Sequence, residues 1–478
     1  MRAAGAFPAD GATLGDTEVQ GVTADSRAVT PGLLFAALPG SRANGAMFVA
    51  AAVAAGASAV LAPKGTRWPE GVPARPMLWA EDARRALALA AAALAGAQPG
   101  CVVAVTGTNG KTSTVDFLRQ LWAMAGLRAA SIGTLGLVAE GFAPGASLTT
   151  PDPVALHAML AQLATAGVGH VAMEASSHGL EQRRLDGVRL SGAGFSNLTR
   201  DHLDYHGDMA GYRAAKLRLF EALLPEGAVA VANTEMDAAT LTALRARPGL
   251  LTVGEAGETL RLLRQEPRPD GQDLLVALGG VEHALHLALP GRFQAENALL
   301  AAGLALGCGM PAAQVLALLP RLRGVPGRME LVARLGNGAG VVVDYAHTPD
   351  GLRGLLSSLR PHVAGRLLVV FGAGGDRDPG KRPLMGAACA ALADKCFVTD
   401  DNPRGEEPAL IRAAILAACP GAVEIGDRRA AIAAAMGELG PGDVLAVAGK
   451  GHETGQMVAG VLHPFDDAAV VRALAGAA

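Results

Sequence analysis

A short apolar run, Val102-Val-Ala-Val105, leads into the glycine-rich turn Gly107-Thr-Asn-Gly110, and a helical pattern follows from Lys111. Such a turn directs backbone N–H groups and the positive end of the helix dipole at one point, where phosphates are stabilised. Lys111 is placed to reach terminal phosphates, and Thr112 supplies the hydroxyl that such loops use as a Mg²⁺ ligand. The sequence therefore predicts a nucleotide-binding α/β domain.

The loop is a variant of the common phosphate-binding form. That form has four residues between its glycines, whereas Gly107 and Gly110 enclose two, and the earlier position holds Val105. A Gly-Lys-Thr turn after a strand can also be an ordinary loop. The succession of strand, turn and helix favours a nucleotide site over that alternative.

Length and composition limit the class of protein. The chain has 478 residues, enough for about three domains. Half of the residues are apolar, which argues against disorder, and the net charge of −3 argues against a nucleic-acid partner. The amino terminus lacks the apolar core of a signal peptide, and the longest apolar run, 86–97, is shorter than the about 20 residues that span a bilayer. We expect a cytoplasmic monomer without membrane insertion, whose partners are small molecules.

The cysteines give no sign of a metal site or a disulfide framework. They are odd in number, form no CxxC pair and lie largely in apolar surroundings, at positions Cys101, Cys308, Cys389, Cys396 and Cys419. We therefore expect free thiols in a reducing compartment.

Strand and helix patterns predict an α/β fold with three domains. Residues 1–97 combine short apolar runs at 33–38 and 59–62 with helical patterns at 48–55 and 86–97, which indicates a small α/β N-terminal domain. Residues 98–323 form a central domain of the P-loop type, with a mainly parallel sheet covered by helices and ligands at the carboxyl ends of its strands. Its elements are predicted as strands at 102–105, 168–173, 192–196 and 228–232, with helices from the loop to about 125 and at 212–224, 295–306 and 312–322.

The segment Gly324-Val-Pro-Gly-Arg-Met329 marks a second boundary. Beyond it, helical patterns separate apolar runs at 341–343, 367–371, 395–399 and 444–448. This alternation predicts a Rossmann-like, doubly wound C-terminal domain at 324–478.

Three further segments are expected to converge on the phosphate loop. Glu174 ends one strand, His202 follows the next, and Lys216 lies in a helical pattern. Each residue alone has an ordinary alternative: a surface acid, a hydrogen-bonded loop histidine and a solvated helix lysine. Together, at the strand ends of a nucleotide-binding domain, they favour a metal-assisted phosphoryl site, because oxygen-rich ligands with an occasional histidine suit Mg²⁺.

The TGTNGKTST loop, MEASSHGL, NLTRDHLDYHG and the YRAAK helix resemble the Mur ligase family, ATP-dependent amide-forming enzymes that build the cytoplasmic peptidoglycan precursor. The resemblance runs through nearly the whole chain. It implies that ATP is bound by Gly107, Thr108, Asn109, Gly110, Lys111, Thr112 and Ser113, and by Asn297, Arg328 and Asp344, whose plainer alternatives are a helix cap, a surface arginine and a strand-end acid.

The same resemblance implies a Mg²⁺ site and a modified lysine. Thr112, Glu174 and His202 hold the ion, and Lys216 is N-carbamylated. A carbamate is an anionic oxygen ligand, whereas a lysine ammonium would repel the cation. The catalytic roles therefore fall on Lys111, Lys216, Glu174 and His202.

The segment Asp401-Asn402-Pro403-Arg404 follows a strand, and its proline rigidifies a turn that presents a guanidinium for bidentate capture of a carboxylate. It resembles the signature of the family members that add meso-2,6-diaminopimelate. Arg377, Gly449 and Glu453 match the rest of that pocket. Arg404 and Glu453 would read the distal carboxylate and ammonium of this amino acid, which gives discrimination against ligands that lack one of them. Alone, the segment would be an ordinary turn.

The remaining contacts implied by the resemblance belong to the nucleotide-sugar peptide. Ala24 and Ser26, with Ser41, Arg42 and Ala43, match the uridine-diphosphate site, although Ala24 and Asn44 depart from the residues frequent there. Hydroxyl, amide and guanidinium groups suited to the peptide's carboxylates are offered by Thr149, Thr150, Ser176, Gln182 and Arg184.

The expected reaction joins meso-2,6-diaminopimelate to UDP-N-acetylmuramoyl-L-alanyl-D-glutamate through an acyl phosphate, with ATP as co-substrate and Mg²⁺ as cofactor. Other ligases of the superfamily remain alternatives: those that add lysine or D-Ala-D-Ala, and folylpolyglutamate synthetase. An ATPase that hydrolyses without an acceptor and a non-catalytic nucleotide-binding module are the alternatives from other classes.

Overall fold

The computed structural model describes residues 17–40, 43–143 and 148–476. The chain forms two compact units. Unit 1 extends to Thr252 and also contains Gly303–Pro311, and unit 2 comprises Val253–Ala302 and the chain from Ala312 onward. The domain boundaries expected at 97/98 and 323/324 stay predictions.

Unit 1 begins with a small parallel sheet. Its strands pair in chain order, and its helices cover it: β1 Gly21–Thr23, β2 Leu33–Ala36, α1 Val49–Ala54, β3 Ala59–Pro63, β4 Met77–Ala80 and α2 Ala83–Ala95. Apolar clusters lie on both faces, which explains why the strands read as continuous apolar runs. The helix expected at 48–55 starts with a 3-10 turn at Gly45–Phe48, because the Asn44 side chain accepts the Ala46 N–H (3.1 Å).

A second sheet in unit 1 confirms the predicted mainly parallel arrangement. In spatial order its strands are β10 Val229–Asn233, β9 Gly192–Phe195, β5 Cys101–Thr106, β8 His170–Glu174, β6 Ala129–Gly133 and β7 Gly136–Ala139, of which only β7 is antiparallel to its neighbour. The accompanying helices are α3 Lys111–Met124, α4 Pro153–Thr165, α5 Ser177–Glu181, α6 Leu203–His206, α7 Met209–Arg218 and α8 Ala238–Arg245. The helix predicted at 212–224 ends in a wider π turn at Leu219–Leu223.

The order of these strands decides where a ligand can bind. β5 lies between β8 and β9: strands β6 to β8 are added on one side of it, and the chain then crosses over to add β9 and β10 on the other side. The loops after the three strands therefore surround a crevice at their carboxyl ends, the usual ligand site of such sheets.

Unit 2 contains an antiparallel meander that the helix and strand patterns did not predict. After β11 (Leu251–Gly254), β12 Leu260–Arg268, β13 Gly271–Leu278 and β14 Val281–Leu287 pair in succession. Their connections are short turns, and Gly279 and Gly280 both adopt positive φ (60° and 81°), as a two-residue hairpin turn requires. The Pro269-Asp270-Gly271 and Gly279-Gly280 signals could have revealed the two hairpins. The helices predicted next are present as α9 Arg292–Gly307 and α10 Ala312–Leu318.

The last sheet of unit 2 confirms the doubly wound prediction. Its spatial order is β15 Glu330–Arg334, β16 Gly340–Asp344, β20 Val444–Ala448, β17 Leu367–Phe371, β18 Lys395–Val398 and β19 Val423–Glu424, all parallel except β15. The other elements are α11 Pro349–Leu359, α12 Lys381–Leu392, α13 Pro408–Leu416, α14 Arg428–Gly437, the hairpin β21 Gly455–Val458 and β22 Val461–Pro464, and α15 Asp467–Gly476. Alternate residues of β17 enter cores on opposite faces, so the whole strand is apolar.

The five cysteines are free thiols, as expected. Across residues 17–40, 43–143 and 148–476, no helix combines the length and apolar character needed to cross a bilayer.

A buried ion pair gives a stability prediction for unit 2. Arg428 donates to both carboxylate oxygens of Asp467 (2.8 and 2.7 Å), and both side chains are fully buried. Asp467→Ala leaves the guanidinium buried without its counter-ion, and we expect the free energy of unfolding to fall by about 3–5 kcal/mol in urea denaturation. The control is Asp350→Ala, which removes the exposed partner of Arg353 and should change stability little. Equal effects of the two substitutions would contradict the prediction.

Candidate functional site

The phosphate loop after β5 depends on two glycines. Gly107 (φ 141°) and Gly110 (φ 82°) adopt backbone conformations that side chains disfavour, and Gly110 precedes the first residue of α3. A Cβ atom on Gly107 would lie 2.0 Å from Ser196 Oγ. The strand and the helix can therefore be joined in this way only because these positions lack side chains.

A neighbouring loop holds the phosphate loop in place. Asn197, just after β9, accepts the Thr108 N–H with its backbone oxygen and the Asn109 N–H with Oδ1 (both 2.9 Å). Ser196 Oγ donates to the carbonyl of Asn109 (2.6 Å). Sequence reasoning placed this segment near the site for its acids and imidazoles and missed the part played by Ser196 and Asn197. Their position directly after a strand of the same sheet was the available signal.

Two lysines converge on the carbonyl of Gly107. Lys111 Nζ donates to it and to the Thr108 carbonyl (2.9 and 2.8 Å), and Lys216 Nζ donates to it from α7 (2.7 Å). Lys216 is 1% exposed, and burial together with the charge of Lys111 lowers its pKa well below the usual range. The structure thus brings the predicted helix lysine to the phosphate loop, as a buried amine that loses its proton easily.

Tyr212, one turn before Lys216 on α7, completes the surroundings of that amine. The Lys216 nitrogen lies 4.4 Å from the centre of the tyrosine ring, and the tyrosine hydroxyl donates to Thr108 Oγ1 (3.3 Å). Burial raises the pKa of Tyr212 to about 12, so the hydroxyl keeps its proton and remains a donor at neutral pH. Sequence reasoning did not identify this residue.

Glu174 ends β8 as a buried carboxylate. Its Oε1 accepts the Thr134 N–H (2.7 Å) from the turn between β6 and β7. A Cβ atom on Gly133 would lie 2.2 Å from the same oxygen, so the turn can approach the carboxylate only with glycine there. The hairpin, which the sequence pattern did not predict, fixes the orientation of Glu174.

His202 lies in a more open position. It adopts φ 51°, its side chain is 49% exposed, and its Nε2 is 3.5 Å from Asp201 Oδ2. Its ring meets the His178 ring edge to face, with centroids 4.9 Å apart. Among the described residues, no recorded hydrogen bond or ion pair joins His202 to Glu174.

The donor set predicted for Mg²⁺ fits that ion chemically. It offers the Glu174 carboxylate, the largely buried Thr112 hydroxyl and the His202 imidazole. Within the part of the chain that the structure describes, no group of three or more His, Cys, Asp or Glu side chains is arranged to hold a metal. Since a hydroxyl and a modified lysine belong to the expected set, the metal site stays a prediction.

Four of the five residues expected to hold the peptide arm form one hydrogen-bonded group in unit 1, and the fifth, Thr149, directly precedes one of them. Arg184 donates to the Thr150 carbonyl and to Gln182 Oε1 (2.7 and 2.8 Å), and the hydroxyls of Thr150 and Ser176 are 3.0 Å apart. Thr149 Oγ1 lies 3.2 Å from Thr134 Oγ1, next to the turn that contacts Glu174. The structure therefore brings all five predicted residues together.

The segment expected to bind uridine diphosphate is described only in part. Asp25 caps a 3-10 turn that begins at Ser26, and its ion pair with Arg27 lowers the pKa of Asp25 to about 2. Ala24 is exposed. Ser41 and Arg42 lie outside the described residues, whereas the carbonyl of Ala43 accepts the Gly40 N–H (3.0 Å).

The nucleotide residues predicted in unit 2 are joined through their neighbours. Asn297 donates to Gln294 (3.3 Å), whose amide donates to the Arg328 carbonyl (3.0 Å). Asp344 accepts the backbone N–H of Met329 (2.7 Å), and desolvation raises the pKa of this carboxyl. The Nε atom of Arg328 is buried without a hydrogen-bond partner, although the guanidinium lies 4.8 Å from the centre of the Tyr345 ring. A buried donor of this kind suits an anionic ligand.

The predicted amino-acid pocket follows the carboxyl ends of β18 and β20. Arg404 (φ 54°) donates from Nη1 to the Gly375 carbonyl (2.9 Å), and Asn402 Nδ2 donates to Glu453 Oε2 (3.0 Å). Asp401 is buried, and a Cβ atom on Gly449 would lie 2.6 Å from its Oδ2. The structure thus brings Asp401, Asn402, Arg404, Gly449 and Glu453 together. Arg377 is exposed on the loop after β17, and within the described part of the chain its side chain forms no hydrogen bond.

Comparisons with known proteins identify the same family in successive parts of the chain. Three family models match it: Mur ligase family, catalytic domain, at residues 18–95; Mur ligase middle domain at 105–305; and Mur ligase, glutamate ligase domain, at 327–451. A UDP-N-acetylmuramoyl-L-alanyl-D-glutamate--2,6-diaminopimelate ligase of Caulobacter vibrioides is 57% identical in an alignment of 473 positions that covers 96% of each chain.

Solved structures extend this similarity to the fold. A structure of a UDP-N-acetylmuramoyl-L-alanyl-D-glutamate--2,6-diaminopimelate ligase matches with a TM-score of 0.70 and 34% identity, over 96% of this chain and 95% of that one. The MurF ligase of Thermotoga maritima in complex with ADP, at 18% identity and a TM-score of 0.61 over 90% of this chain and 94% of that one, shares the fold alone. From the sequence identity and the family models matched along its length, the chain belongs to the Mur ligase family.

Proposed function

We propose that this chain joins meso-2,6-diaminopimelate to UDP-N-acetylmuramoyl-L-alanyl-D-glutamate at the expense of ATP. The observation that carries the proposal is the pocket after β18 and β20, in which a guanidinium and a carboxylate are held on either side of Asn402. A distal carboxylate and a distal ammonium are the groups that such a pair can read. The Caulobacter vibrioides protein and the solved structure with 34% identity support the same substrate, since both carry this activity in their names.

The chemistry must first activate a carboxylate, which is an unreactive acyl donor. The D-glutamyl side-chain carboxylate attacks the γ-phosphate of ATP, which gives an acyl phosphate and ADP. The amine at the L-centre of diaminopimelate then attacks the acyl carbon, and the tetrahedral intermediate expels phosphate. Positioning of the two nucleophiles and neutralisation of charge on the transferred group carry most of this catalysis.

The phosphate loop supplies the groups that meet ATP. Its backbone N–H groups and the start of α3 face the phosphates. Lys111 gives up its hydrogen bonds to the carbonyls of Gly107 and Thr108 and donates to phosphate oxygens instead. We assign Asn297 to the adenine, and Arg328 and Asp344 to the rest of the nucleotide.

Thr112, Glu174, His202 and carbamylated Lys216 would hold Mg²⁺, which neutralises phosphate charge when bound. Burial favours the neutral Lys216 amine, the form that adds to carbon dioxide, and the product is a carbamate and one proton.

The peptide arm is held by Thr149, Thr150, Ser176, Gln182 and Arg184. The uridine diphosphate is held by Ala24, Ser26, Ser41, Arg42 and Ala43. One chain carries residues for all three substrates, so a monomer suffices, and the reaction takes place in the cytoplasm.

Amino-acid dependence tests the proposal directly. Purified protein with ATP, Mg²⁺, bicarbonate and the nucleotide-sugar dipeptide should release phosphate and form tripeptide when meso-2,6-diaminopimelate is added. Lysine, D-Ala-D-Ala or glutamate in its place should give far less of either. Activity that prefers one of these other acceptors would assign the chain to another ligase of the superfamily, and phosphate release without any acceptor would indicate an ATPase.

The role of Lys216 gives a second prediction. Lys216→Ala should lower the ligation rate by at least about 100-fold, because the anionic oxygen at this position is lost. Addition of a short carboxylic acid should restore part of the activity of this variant and leave the wild type unchanged. The surface substitution Lys395→Ala is the control for loss of a lysine. An unaffected rate for Lys216→Ala would refute the carbamate role.

The role of Arg404 in amino-acid recognition gives a third prediction. Arg404→Ala should raise the KM for diaminopimelate by at least about tenfold, with little change in the KM for ATP, since only the amino acid presents a carboxylate to this guanidinium. Arg353→Ala, an exposed arginine of the same unit, serves as the control. Equal increases in both KM values would count against a recognition role.

A further inference from the structure

Lys450 follows β20 and is a buried lysine beside the amino-acid pocket. Its side chain is fully inaccessible, yet it ends in an ammonium group. Its Nζ atom donates to Asn402 Oδ1 (3.1 Å) and to Glu453 Oε2 (3.2 Å), and it lies 3.9 Å from Asp401 Oδ1. Burial of an ammonium is costly unless hydrogen bonds and counter-charges compensate it, so its partners show what it stabilises.

The hydrogen bonds of Lys450 fix two groups of the pocket at once. Asn402 Oδ1 accepts both Lys450 Nζ and the Met457 N–H (2.9 Å), which turns the amide nitrogen of Asn402 toward Glu453. Glu453 Oε2 therefore receives two donors, from Asn402 and from Lys450. The Glu453 side chain is 35% exposed, so its other oxygen is the one available to a ligand.

Lys450 supplies the positive charge that contacts the side chains of Glu453 and Asn402. Arg428, a second buried cation near Asp401, pairs with Asp467 through two hydrogen bonds. Burial raises the pKa of Asp401, and the charges of Arg428 and Lys450 oppose that rise. Without Lys450, less positive charge would offset the negative charge of the Asp401 and Glu453 carboxylates. Glu453 would also lose the cation with which it is paired.

We propose that Lys450 is a specificity-determining positioning residue: it holds Glu453 and Asn402 in the arrangement that reads the distal ammonium, and its charge disfavours ligands that carry this ammonium without a distal carboxylate. This inference rests on the proposed function. Lysine is such a ligand, because its distal end is a cation, whereas the distal end of meso-2,6-diaminopimelate is a zwitterion. Removal of one fixed positive charge should shift the preference toward the cation.

The first experiment compares Lys450→Met with the wild type in tripeptide formation. We expect the KM for meso-2,6-diaminopimelate to rise by at least about tenfold, with the KM for ATP within about twofold. The ratio of kcat/KM for diaminopimelate to that for lysine should fall by at least about fivefold, which a loss of folded protein alone would not produce. Lys395→Met is the matched control, because Lys395 pairs with Glu438 at the opposite end of β18 and should alter none of these values.

A double-mutant cycle tests whether Lys450 acts through Glu453. In a Glu453→Gln background, the further change Lys450→Met should raise the KM for diaminopimelate by clearly less than the tenfold expected in the wild-type background, because the carboxylate that Lys450 positions is already gone and only its hydrogen bond to Asn402 is left to lose. If Lys450→Met alone does not fold, the comparison of Glu453→Gln with the double variant still provides a test. In the double variant the side chain at 453 is uncharged, so the loss of the lysine leaves no unpaired carboxylate at that position.

The outcomes separate the two proposals. A wild-type protein that forms no tripeptide with diaminopimelate overturns the proposed function and this inference with it. A wild type that is active, together with a folded Lys450→Met variant of unchanged KM and unchanged amino-acid preference, overturns this inference alone. Equal effects of Lys450→Met in both backgrounds overturn the role through Glu453.

Discussion

The carbonyl oxygen of Gly107 is the point on which the phosphate site depends. It accepts hydrogen bonds from Lys111 and Lys216, while the missing Cβ of the same residue lets the loop after β9 approach. One backbone position therefore connects the central strand β5, the start of α3, the helix α7 and the loop that carries Asn197. A side chain at Gly107 would separate these elements, and the helix lysine would no longer reach the loop.

Both doubly wound sheets use the same geometric device. In unit 1 the phosphate loop, Glu174 and the Ser196-Asn197 pair follow three adjacent parallel strands, β5, β8 and β9. In unit 2 the amino-acid pocket follows β18 and β20, on either side of β17. Because parallel strands end at the same edge of a sheet, residues far apart in the chain meet there without any long connection.

Each site contains a buried lysine, and the surroundings give the two lysines different roles. Lys216 contacts a carbonyl and the face of Tyr212, so burial disfavours its charged form and lowers its pKa. Lys450 contacts an amide oxygen and a carboxylate, where its charge is compensated. The first lysine is suited to covalent modification, and the second is suited to holding other groups in place.

Local patterns were enough to predict the alternation of apolar strands and helices and the glycine-rich loop, and to single out the motif residues from Glu174 to Arg404, because these signals lie within short stretches of chain. The approach of Gly133 to Glu174, the contacts of Tyr212 and the burial of Lys450 became visible only in the folded chain, because they depend on residues distant in sequence. The hydrogen bond from Asn109 to Asn197 joins residues 88 positions apart. Such a contact leaves no periodic trace in the sequence, since it depends on which strands become neighbours and on how closely their backbones can pack.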